Sequence, residues 1–377
     1  MSSWNSSKGS KPVASGAHAG PSKALRYCAY CPKLCRFACP VSAVQARETV
    51  TPWGKQTVLH ELVRQTLPLD ESAARPLWAC LECHGCRTFC DHGIDVPASL
   101  RTGRALAWGH QVAPRAAVAL QTGFAERQRR MQRSVAGLAS GRAVGAETRV
   151  ALFPGCATCL ERPDDVAATL RILDAGPDGR TALVADYCCG LPLLAAGDLE
   201  GFLAAARKVR RALSGIPVTV VPDPGCLHAM RVLYVERGVN IESRLLHLSE
   251  YVLPTLGRFR KLSLGGPAWY HDPCRLGRDL GIYDAPRDVL SRVLAEGLAE
   301  FPRNRERADC CGGGGAVRDT DPGTAAAVAR RRLAELGRPD GAGTVVTACP
   351  TCRTMLAGAG SDWQVRDLIE LLDEALL

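Results

Sequence analysis

From Thr148 onward, short apolar runs alternate with longer stretches in which apolar residues recur at helical spacing. The short runs predict strands and the longer stretches predict helices. The predicted strands are Arg149–Phe153, Thr181–Ala185 and Pro217–Val221, and the predicted helices between them are Asp164–Leu173 and Glu200–Leu213. Strands that alternate with helices in this way are typical of βαβ units and a parallel sheet. We therefore predict an α/β fold for this part of the chain.

The same pattern then occurs a second time. Its predicted strands are Ala268–Tyr270 and Gly343–Thr347, its predicted helices are Pro286–Leu298 and Thr324–Leu336, and a final predicted helix, Val365–Leu377, closes the chain. Cys156, Cys188 and Cys226 correspond to Cys274, Cys310 and Cys349, at offsets of 118, 122 and 123 residues. Such constant offsets indicate a duplication. We predict two copies of one α/β domain, over residues 148–262 and 263–377.

The cysteines of each copy follow predicted strand ends, where open α/β sheets place ligands. We call the first set site C and the second set site D. Site C comprises Cys156, Cys188, Cys189 and Cys226, and site D comprises Cys274, Cys310, Cys311, Cys349 and Cys352. Ala229 stands where a fifth cysteine of site C would fall, with Cys159 and His228 nearby as alternative ligands. Gly312–Gly315 follow the cysteine pair of site D and permit a sharp bend and a close backbone approach.

The N-terminal part contains two runs of four cysteines. The first run is Cys28, Cys31, Cys35 and Cys39, and the second is Cys80, Cys83, Cys86 and Cys90. Paired runs of this kind predict two [4Fe–4S] clusters, each with three ligands from one run and the fourth from the other. We therefore predict site A from Cys28, Cys31, Cys35 and Cys90, and site B from Cys80, Cys83, Cys86 and Cys39. Structural zinc is the alternative, although zinc favours two spaced pairs.

The segments around these runs complete the predicted domain organisation. Residues 1–24 are rich in Ser, Gly, Lys and Ala and predict a disordered tail. Residues 25–110 predict an α-helical ferredoxin domain, because 40 residues with a helix-like rhythm separate the two runs. Residues 111–147 predict a basic helical connector, and Pro114 is expected to end or kink a helix there.

Composition narrows the function classes. The 377 residues include 18 cysteines but neither an apolar signal core nor a long apolar run, so we expect a cytoplasmic protein with metal sites rather than disulfides. A peripheral place at the inner face of the cell membrane stays open. Residues 1–150 hold 20 Lys/Arg and 9 Asp/Glu, whereas the remainder holds 27 and 29. No nucleic-acid, phosphate-loop or dinucleotide motif accompanies the basic half, so we predict no nucleic-acid partner and no bound flavin or nicotinamide.

These residues resemble the cysteine-rich, or CCG, domain family over about residues 25–377. The order of a ferredoxin domain and two CCG domains is most similar to iron–sulfur subunits of glycolate oxidase and anaerobic glycerol-3-phosphate dehydrogenase. The resemblance implies two 4Fe–4S clusters and a further iron–sulfur cluster at site D, with site C holding a cluster, zinc or nothing. It also implies an FAD-containing dehydrogenase subunit as partner, and a quinone or another membrane-associated acceptor.

Three functions remain open at this stage. The first is an electron-transfer subunit of a flavin-dependent dehydrogenase that oxidises a hydroxy acid or glycerol 3-phosphate. The second, from the resemblance to heterodisulfide reductase, is a subunit that acts on a disulfide or thiol at a CCG-domain cluster. The third is a metal-binding scaffold without redox turnover. The catalytic residues, the substrate and the final electron acceptor are not predicted.

Overall fold

The computed structural model describes residues 22–33, 35–337, 343–360 and 362–377. It confirms the predicted multidomain α/β fold class, with a helical N-terminal domain followed by two repeats that each contain a short parallel sheet. Residues 1–21 of the predicted tail lie outside the described residues, and the first helix begins at Lys23 with Ser22 as its N-cap.

The described N-terminal part consists of helices joined by loops and turns, without a strand. Its helices are α1 (Lys23–Ala29), α2 (Pro40–Gln45), α3 (Pro52–Val63), α4 (Glu71–Ala74), α5 (Gly85–Thr88), α6 (Val96–Gly109), α7 (Arg115–Thr122), α8 (Phe124–Ser134) and α9 (Ala136–Ala139). Pro114 separates α6 from α7, because its ring fixes the backbone and removes an amide donor. Helices α7–α9 cover most of the predicted connector.

The first repeat contains four parallel strands in the order β2-β1-β3-β4. They are β1 (Val150–Leu152), β2 (Ala182–Leu183), β3 (Val218–Val220) and β4 (Arg244–Leu246). The helices of this repeat are α10 (Cys156–Glu161), α11 (Pro163–Asp174), α12 (Leu191–Ala196), α13 (Leu199–Ala212), α14 (Pro224–His228) and α15 (Leu248–Val252). Strand β4 was absent from the sequence prediction.

The second repeat has the same topology, with strand order β6-β5-β7-β8. Its strands are β5 (Ala268–His271), β6 (Leu298–Glu300), β7 (Thr344–Thr347) and β8 (Gln364–Asp367). Its helices are α16 (Asp284–Val293), α17 (Val317–Thr320), α18 (Pro322–Ala334), α19 (Pro350–Ala357) and α20 (Leu368–Ala375). The matching strand order agrees with the predicted duplication.

Two helix predictions in this repeat were wrong at their ends. The predicted helix Val365–Leu377 begins as strand β8, which pairs with β7, and becomes helical only at Leu368. Asp367 causes the change, because its carboxylate accepts from the Ile369 amide and caps α20. Likewise, α16 ends at Val293, and Leu298 starts strand β6 instead of ending a helix.

Shared apolar cores join the three parts of the chain. One core is continuous between the repeats and includes Leu248 and Val252 of α15 together with Val289 and Leu372 of the second repeat. A smaller core contains residues from the N-terminal domain and from the second repeat, namely Cys39, Val41, Val50, Leu81, Cys310, Val317, Ala325 and Val328. The N-terminal domain therefore packs directly on the loop that carries site D. Among the described residues, none of the helices combines the length and apolar character that crossing a bilayer requires.

Candidate metal centres

The four cysteines assigned to site A line one cavity of about 120 Å³. Cys28 lies in α1, Cys31 and Cys35 follow it, and Cys90 comes from the turn after α5. Burial raises the pKa of Cys28 to about 12, and the neighbouring Cys35, Cys90 and Cys31 contribute by charge repulsion. Thiols that oppose each other's ionisation become thiolates together only around a cationic centre. All four are half-buried, so the centre they would hold lies near the surface.

The cysteines assigned to site B line a second, smaller cavity. Cys39 is the N-cap of α2, whereas Cys80 and Cys83 come from the loop that leads into α5 and Cys86 lies in α5 itself. That loop passes through left-handed backbone at Glu82 and His84. The structure thus brings Cys39 to the three cysteines of the other run, as the predicted ligand exchange requires.

A buried lysine beside site B tests whether the site fits an anionic group. Lys55 of α3 is 1% exposed, and its Nζ donates to the Cys39 Sγ at 3.6 Å. Within the described part of the chain, no carboxylate forms an ion pair with it. A buried ammonium without a counter-charge is costly. A cluster held by four thiolates supplies that negative charge, so these residues fit an iron–sulfur cluster.

Charged side chains fix the site B loop to the rest of the molecule. Burial alone would raise the pKa of Glu82, but the guanidinium groups of Arg104, Arg101 and Arg275 hold it well below its usual range. The distances from Glu82 to these groups are 2.6, 3.2 and 2.9 Å. Arg104 and Arg101 lie on α6, whereas Arg275 belongs to the second repeat. The loop is therefore clamped between two domains.

His84 provides a second clamp next to Cys83. Its ring contacts the carboxylates of Asp279 at 2.6 Å and Asp95 at 3.1 Å. Burial would lower the pKa of His84, but these two acids outweigh it and raise the pKa to about 9. His84 is therefore a cation at neutral pH, and it joins the N-terminal domain to the second repeat.

Site C consists of closely packed thiols in the first repeat. Cys188 Sγ lies 3.4 Å from Cys156 Sγ, and Cys226 Sγ lies 3.2 Å from Cys189 Sγ. All four are buried, and the Arg127 Nε donates to Cys156 Sγ at 3.4 Å. These thiols with their cationic neighbour fit a metal ion or cluster.

The two alternative ligands of site C differ in position. Cys159 is buried one helical turn after Cys156 and close enough for the charge on Cys156 to help raise its pKa to about 12, after the larger effect of burial. His228 instead joins the charge network of the second repeat, where its Nδ1 accepts from Arg275 at 2.9 Å. Burial and Arg275 lower the pKa of His228 to about 3, so its ring is neutral.

Site D brings its five cysteines together and extends to site B. Interactions with Cys274, Cys311 and also Cys83 raise the pKa of Cys310 well above that of a free thiol. Cys311 in turn adjoins Cys352, and Cys352 adjoins Cys349. Because Cys83 belongs to site B, sites B and D are in direct contact. Sequence spacing carried no signal for this contact.

The glycine run explains how the two cysteine loops come so close. A Cβ atom on Gly314 would lie 2.0 Å from the Leu81 carbonyl oxygen, and one on Gly315 would lie 2.2 Å from that of Cys80. Only glycine allows the site D loop to rest on the backbone of the site B loop. The predicted close approach is present, and its partner is the N-terminal domain.

Sites C and D face each other across one cavity of about 160 Å³ between the repeats. Its walls include Cys156, Cys189 and Cys226 of site C together with Cys274, Cys311, Cys349 and Cys352 of site D. Arg127, Arg275 and Arg318 also line it, beside apolar residues such as Leu120 and Leu191. The cavity has the mixture of an apolar wall and a few polar groups that is typical of small-molecule sites.

Comparisons with known proteins agree with this architecture. The model of the 4Fe-4S dicluster domain matches residues 24–94, and that of the cysteine-rich CCG domain matches residues 150–231 and 268–357. The chain therefore belongs to the iron–sulfur proteins that combine a 4Fe-4S dicluster domain with two CCG domains, and the expected cofactor class is confirmed.

Two relatives illustrate the range of similar proteins. One, from Methanothermobacter marburgensis, is a subunit of fumarate reductase (CoM/CoB), and it is 27% identical over 373 residues, covering 94% of this chain and 73% of the relative. The other, from Methanosarcina mazei, is a subunit of dihydromethanophenazine:CoB–CoM heterodisulfide reductase, and it is 30% identical over 241 residues, covering 60% of this chain and 59% of the relative. The alignment thus spans about three quarters of the first relative and about six tenths of the second.

Proposed function

We propose that the chain is the iron–sulfur electron-transfer subunit of a flavin-dependent dehydrogenase complex of the hydroxy-acid or glycerol-3-phosphate type. It would pass electrons from a partner flavoprotein toward a quinone or another carrier. The observation that carries this proposal is the contact of Cys83 in site B with Cys310 in site D. Site A adjoins site B in turn, since Cys35 is a neighbour of Cys86. Clusters bound at these sites supply one-electron transfer.

The series of sites runs from the protein surface to its interior. Site A cysteines are half-buried, whereas most cysteines of sites C and D are fully buried. The clamps at Glu82 and His84 hold the site B loop against the second repeat, and the glycine run leaves no room for a side chain between the two loops. A partner can therefore reach the series at site A, and the interior end is the cavity between sites C and D.

The surface around site A suits a partner subunit. Tyr30 is 80% exposed and Phe37 is 65% exposed, and both lie close to site A cysteines in the chain. Residues 22–50 hold five Lys/Arg and one Glu. Exposed aromatic side chains with a basic rim favour a partner with a complementary acidic surface. We expect the flavoprotein to bind there.

Anaerobic co-purification with the full chain as bait tests the proposal. The expected partner contains FAD, and the complex should reduce a dye with glycolate, L-lactate or glycerol 3-phosphate, whereas the chain alone should not. The double change Tyr30→Ser and Phe37→Ser should reduce the yield of the complex. Val235→Ser, at a half-exposed apolar position in the first repeat, is the matched control. Substrate oxidation by the isolated chain, or a partner without flavin, would contradict the proposal.

A second candidate is reduction of a disulfide in the cavity between the repeats. The specific observation that favours it is that cysteines of both repeats line one cavity large enough for a small molecule. The names of both relatives refer to CoM and CoB, and one of them to a heterodisulfide. The reaction would consume two electrons and two protons and release two thiols. Oxidation of reduced methyl viologen by added glutathione disulfide or cystine would support this function, provided that Cys311→Ser abolishes it and the control Val235→Ser does not.

A further inference from the structure

His271 is a buried histidine at the C-terminal end of strand β5, and it lies against site D. The side chain is 1% exposed. A ring nitrogen of His271 and the sulfur atoms of Cys311 and Cys352 all lie within 4.8 Å of one another. At this distance the ring could either ligate a metal or donate a hydrogen bond to a ligand sulfur. The two roles require opposite protonation of the nitrogen that faces the sulfurs.

Arg332 decides which nitrogen carries the proton. Its Nε donates to the Nδ1 of His271 at 3.1 Å. A guanidinium has no acceptor, so Nδ1 must accept, and in the neutral ring the proton lies on Nε2.

The orientation of Arg332 is itself fixed. The side chain is fully buried, and its Nη1 donates to the Arg303 carbonyl at 3.0 Å and to Glu335 at 2.7 Å. Its guanidinium also lies 3.8 Å from the centre of the Phe301 ring. The donor to Nδ1 therefore cannot rotate away without breaking several buried contacts, and the tautomer of His271 is locked.

The Nε2–H group is a donor without an ordinary acceptor. It is buried, and no hydrogen-bond partner, sulfur included, meets it among the described residues. A buried donor left without an acceptor destabilises a protein. The acceptors that site D offers to the ring are the sulfurs of Cys311 and Cys352, which lie within 4.8 Å of one of its nitrogens. Thiolate sulfurs that ligate a cluster accept such bonds, and these bonds adjust its reduction potential.

The first repeat lacks this donor. His271 precedes Cys274 by three residues, and Phe153 precedes Cys156 by the same spacing. Phe153 is fully buried at the end of β1. The two repeats thus place an aromatic ring at the same position, but only the ring beside site D can donate a hydrogen bond.

We propose that His271 is a positioning residue of site D, whose Nε2–H donates to the ligand sulfurs, Cys311 foremost, and which does not itself ligate metal. The donated bond stabilises negative charge on this site and raises its reduction potential relative to site C. The proposal depends on a metal cluster at site D but not on the identity of the partner subunit or of the substrate.

Pulsed electron paramagnetic resonance of the anaerobic full chain, labelled with ¹⁵N-histidine, tests the assignment. Wild type should show a weak ¹⁵N coupling typical of a hydrogen-bonded nitrogen in the site D signal. His271→Phe, which reproduces the ring of the first repeat, should lose this coupling and lower the midpoint potential of site D without changing the iron content. His271→Gln keeps an N–H donor and should retain a potential closer to wild type. His110→Gln, at an exposed histidine, should change neither property.

Three outcomes would overturn the assignment. A strong ¹⁵N coupling, typical of direct ligation, would make His271 a ligand. An unchanged ¹⁵N coupling and an unchanged midpoint potential in His271→Phe would show that the ring does not donate a hydrogen bond to site D. Loss of iron in both the Phe and the Gln variants would reduce the role of His271 to supporting the fold.

Discussion

Replacing Lys55 with methionine should lower the reduction potential of site B. The Lys55 Nζ lies 3.6 Å from the Cys39 sulfur and is almost fully buried. Methionine has a similar length and no charge, so the change removes the ammonium while it keeps most of the packing. Reduction adds a negative charge to a thiolate-ligated site, and the positive charge of Lys55 stabilises that reduced state more than the oxidised one.

The size of the effect follows from the distance. Two unit charges 3.6 Å apart interact by about 4.6 kcal/mol at an effective dielectric constant of about 20. The added electron is spread over the whole cluster, so about half of this value, roughly 2 kcal/mol, is a fairer estimate. For one electron, about 1.4 kcal/mol corresponds to 59 mV, so the potential should fall by roughly 100 mV.

A potentiometric titration followed by electron paramagnetic resonance measures this shift on the anaerobic full chain. Lys55→Arg keeps the charge and should stay near the wild-type potential. Lys33→Met is the matched control, because Lys33 lies over the Trp53 ring near site A and is paired with Glu48 at 3.8 Å. An unchanged site B potential in Lys55→Met, or an equal fall in Lys55→Arg, would refute the electrostatic role of Lys55.

Three further predictions concern the ligand exchange, the glycine run and a buried acid. Cys39→Ser should remove the spectrum of site B and leave that of site A, and loss confined to site A would contradict the exchange. Gly314→Ala should slow reduction of site D and lower the thermal midpoint, because its Cβ would meet the Leu81 carbonyl, whereas Gly266→Ala, with open space around it, should do neither. Burial raises the pKa of Asp367 to about 8, above its value in the unfolded chain. The folded state then holds the extra proton, so the thermal midpoint of wild type relative to Asp367→Asn should fall as the pH rises from 6 to 8 and level off above; a difference independent of pH would refute this.

The sequence predicted the elements that are short, apolar and followed by cysteines, because these carry a strong local signal. Strands β1, β3, β5 and β7 form the middle of their sheets, and each was predicted within two residues. The edge strands β4, β6 and β8 were missed, because each contains exposed or half-buried positions instead of a continuous apolar run. In β8, Arg366 and Asp367 follow Val365 in a pattern that continues smoothly into the helix, so the boundary is set by the cap and by pairing with β7.

The arrangement of the sites was only partly accessible from the sequence. The spacing of the cysteine runs predicts which thiols share a loop, and in the structure Cys90 and Cys39 each line a cavity together with cysteines of the opposite run. Contacts between loops that are far apart in the chain produce no periodic pattern in the sequence, so they could not be predicted from it. The contact of Cys83 with Cys310 and the clamp of Arg275 on Glu82 join residues about 200 positions apart. The glycines and charged residues indicated that these loops have a particular conformation. They did not predict which other loop each of them contacts.

The two repeats share a topology and differ at the residues that touch their cysteines. Ala229 stands where the last cysteine of site C would fall, and it is fully buried. Phe153 replaces His271, which removes the hydrogen-bond donor, while the Arg127 of the connector donates to Cys156 from outside the repeat. Site C therefore depends on the connector for its positive charge, whereas site D has a donor within its own sheet and direct contact with site B. The two repeats nevertheless keep the same strand order. Sites C and D face the same cavity but have different neighbouring charges and hydrogen-bond donors. Because of these differences, we expect the reduction potentials of the two sites to differ.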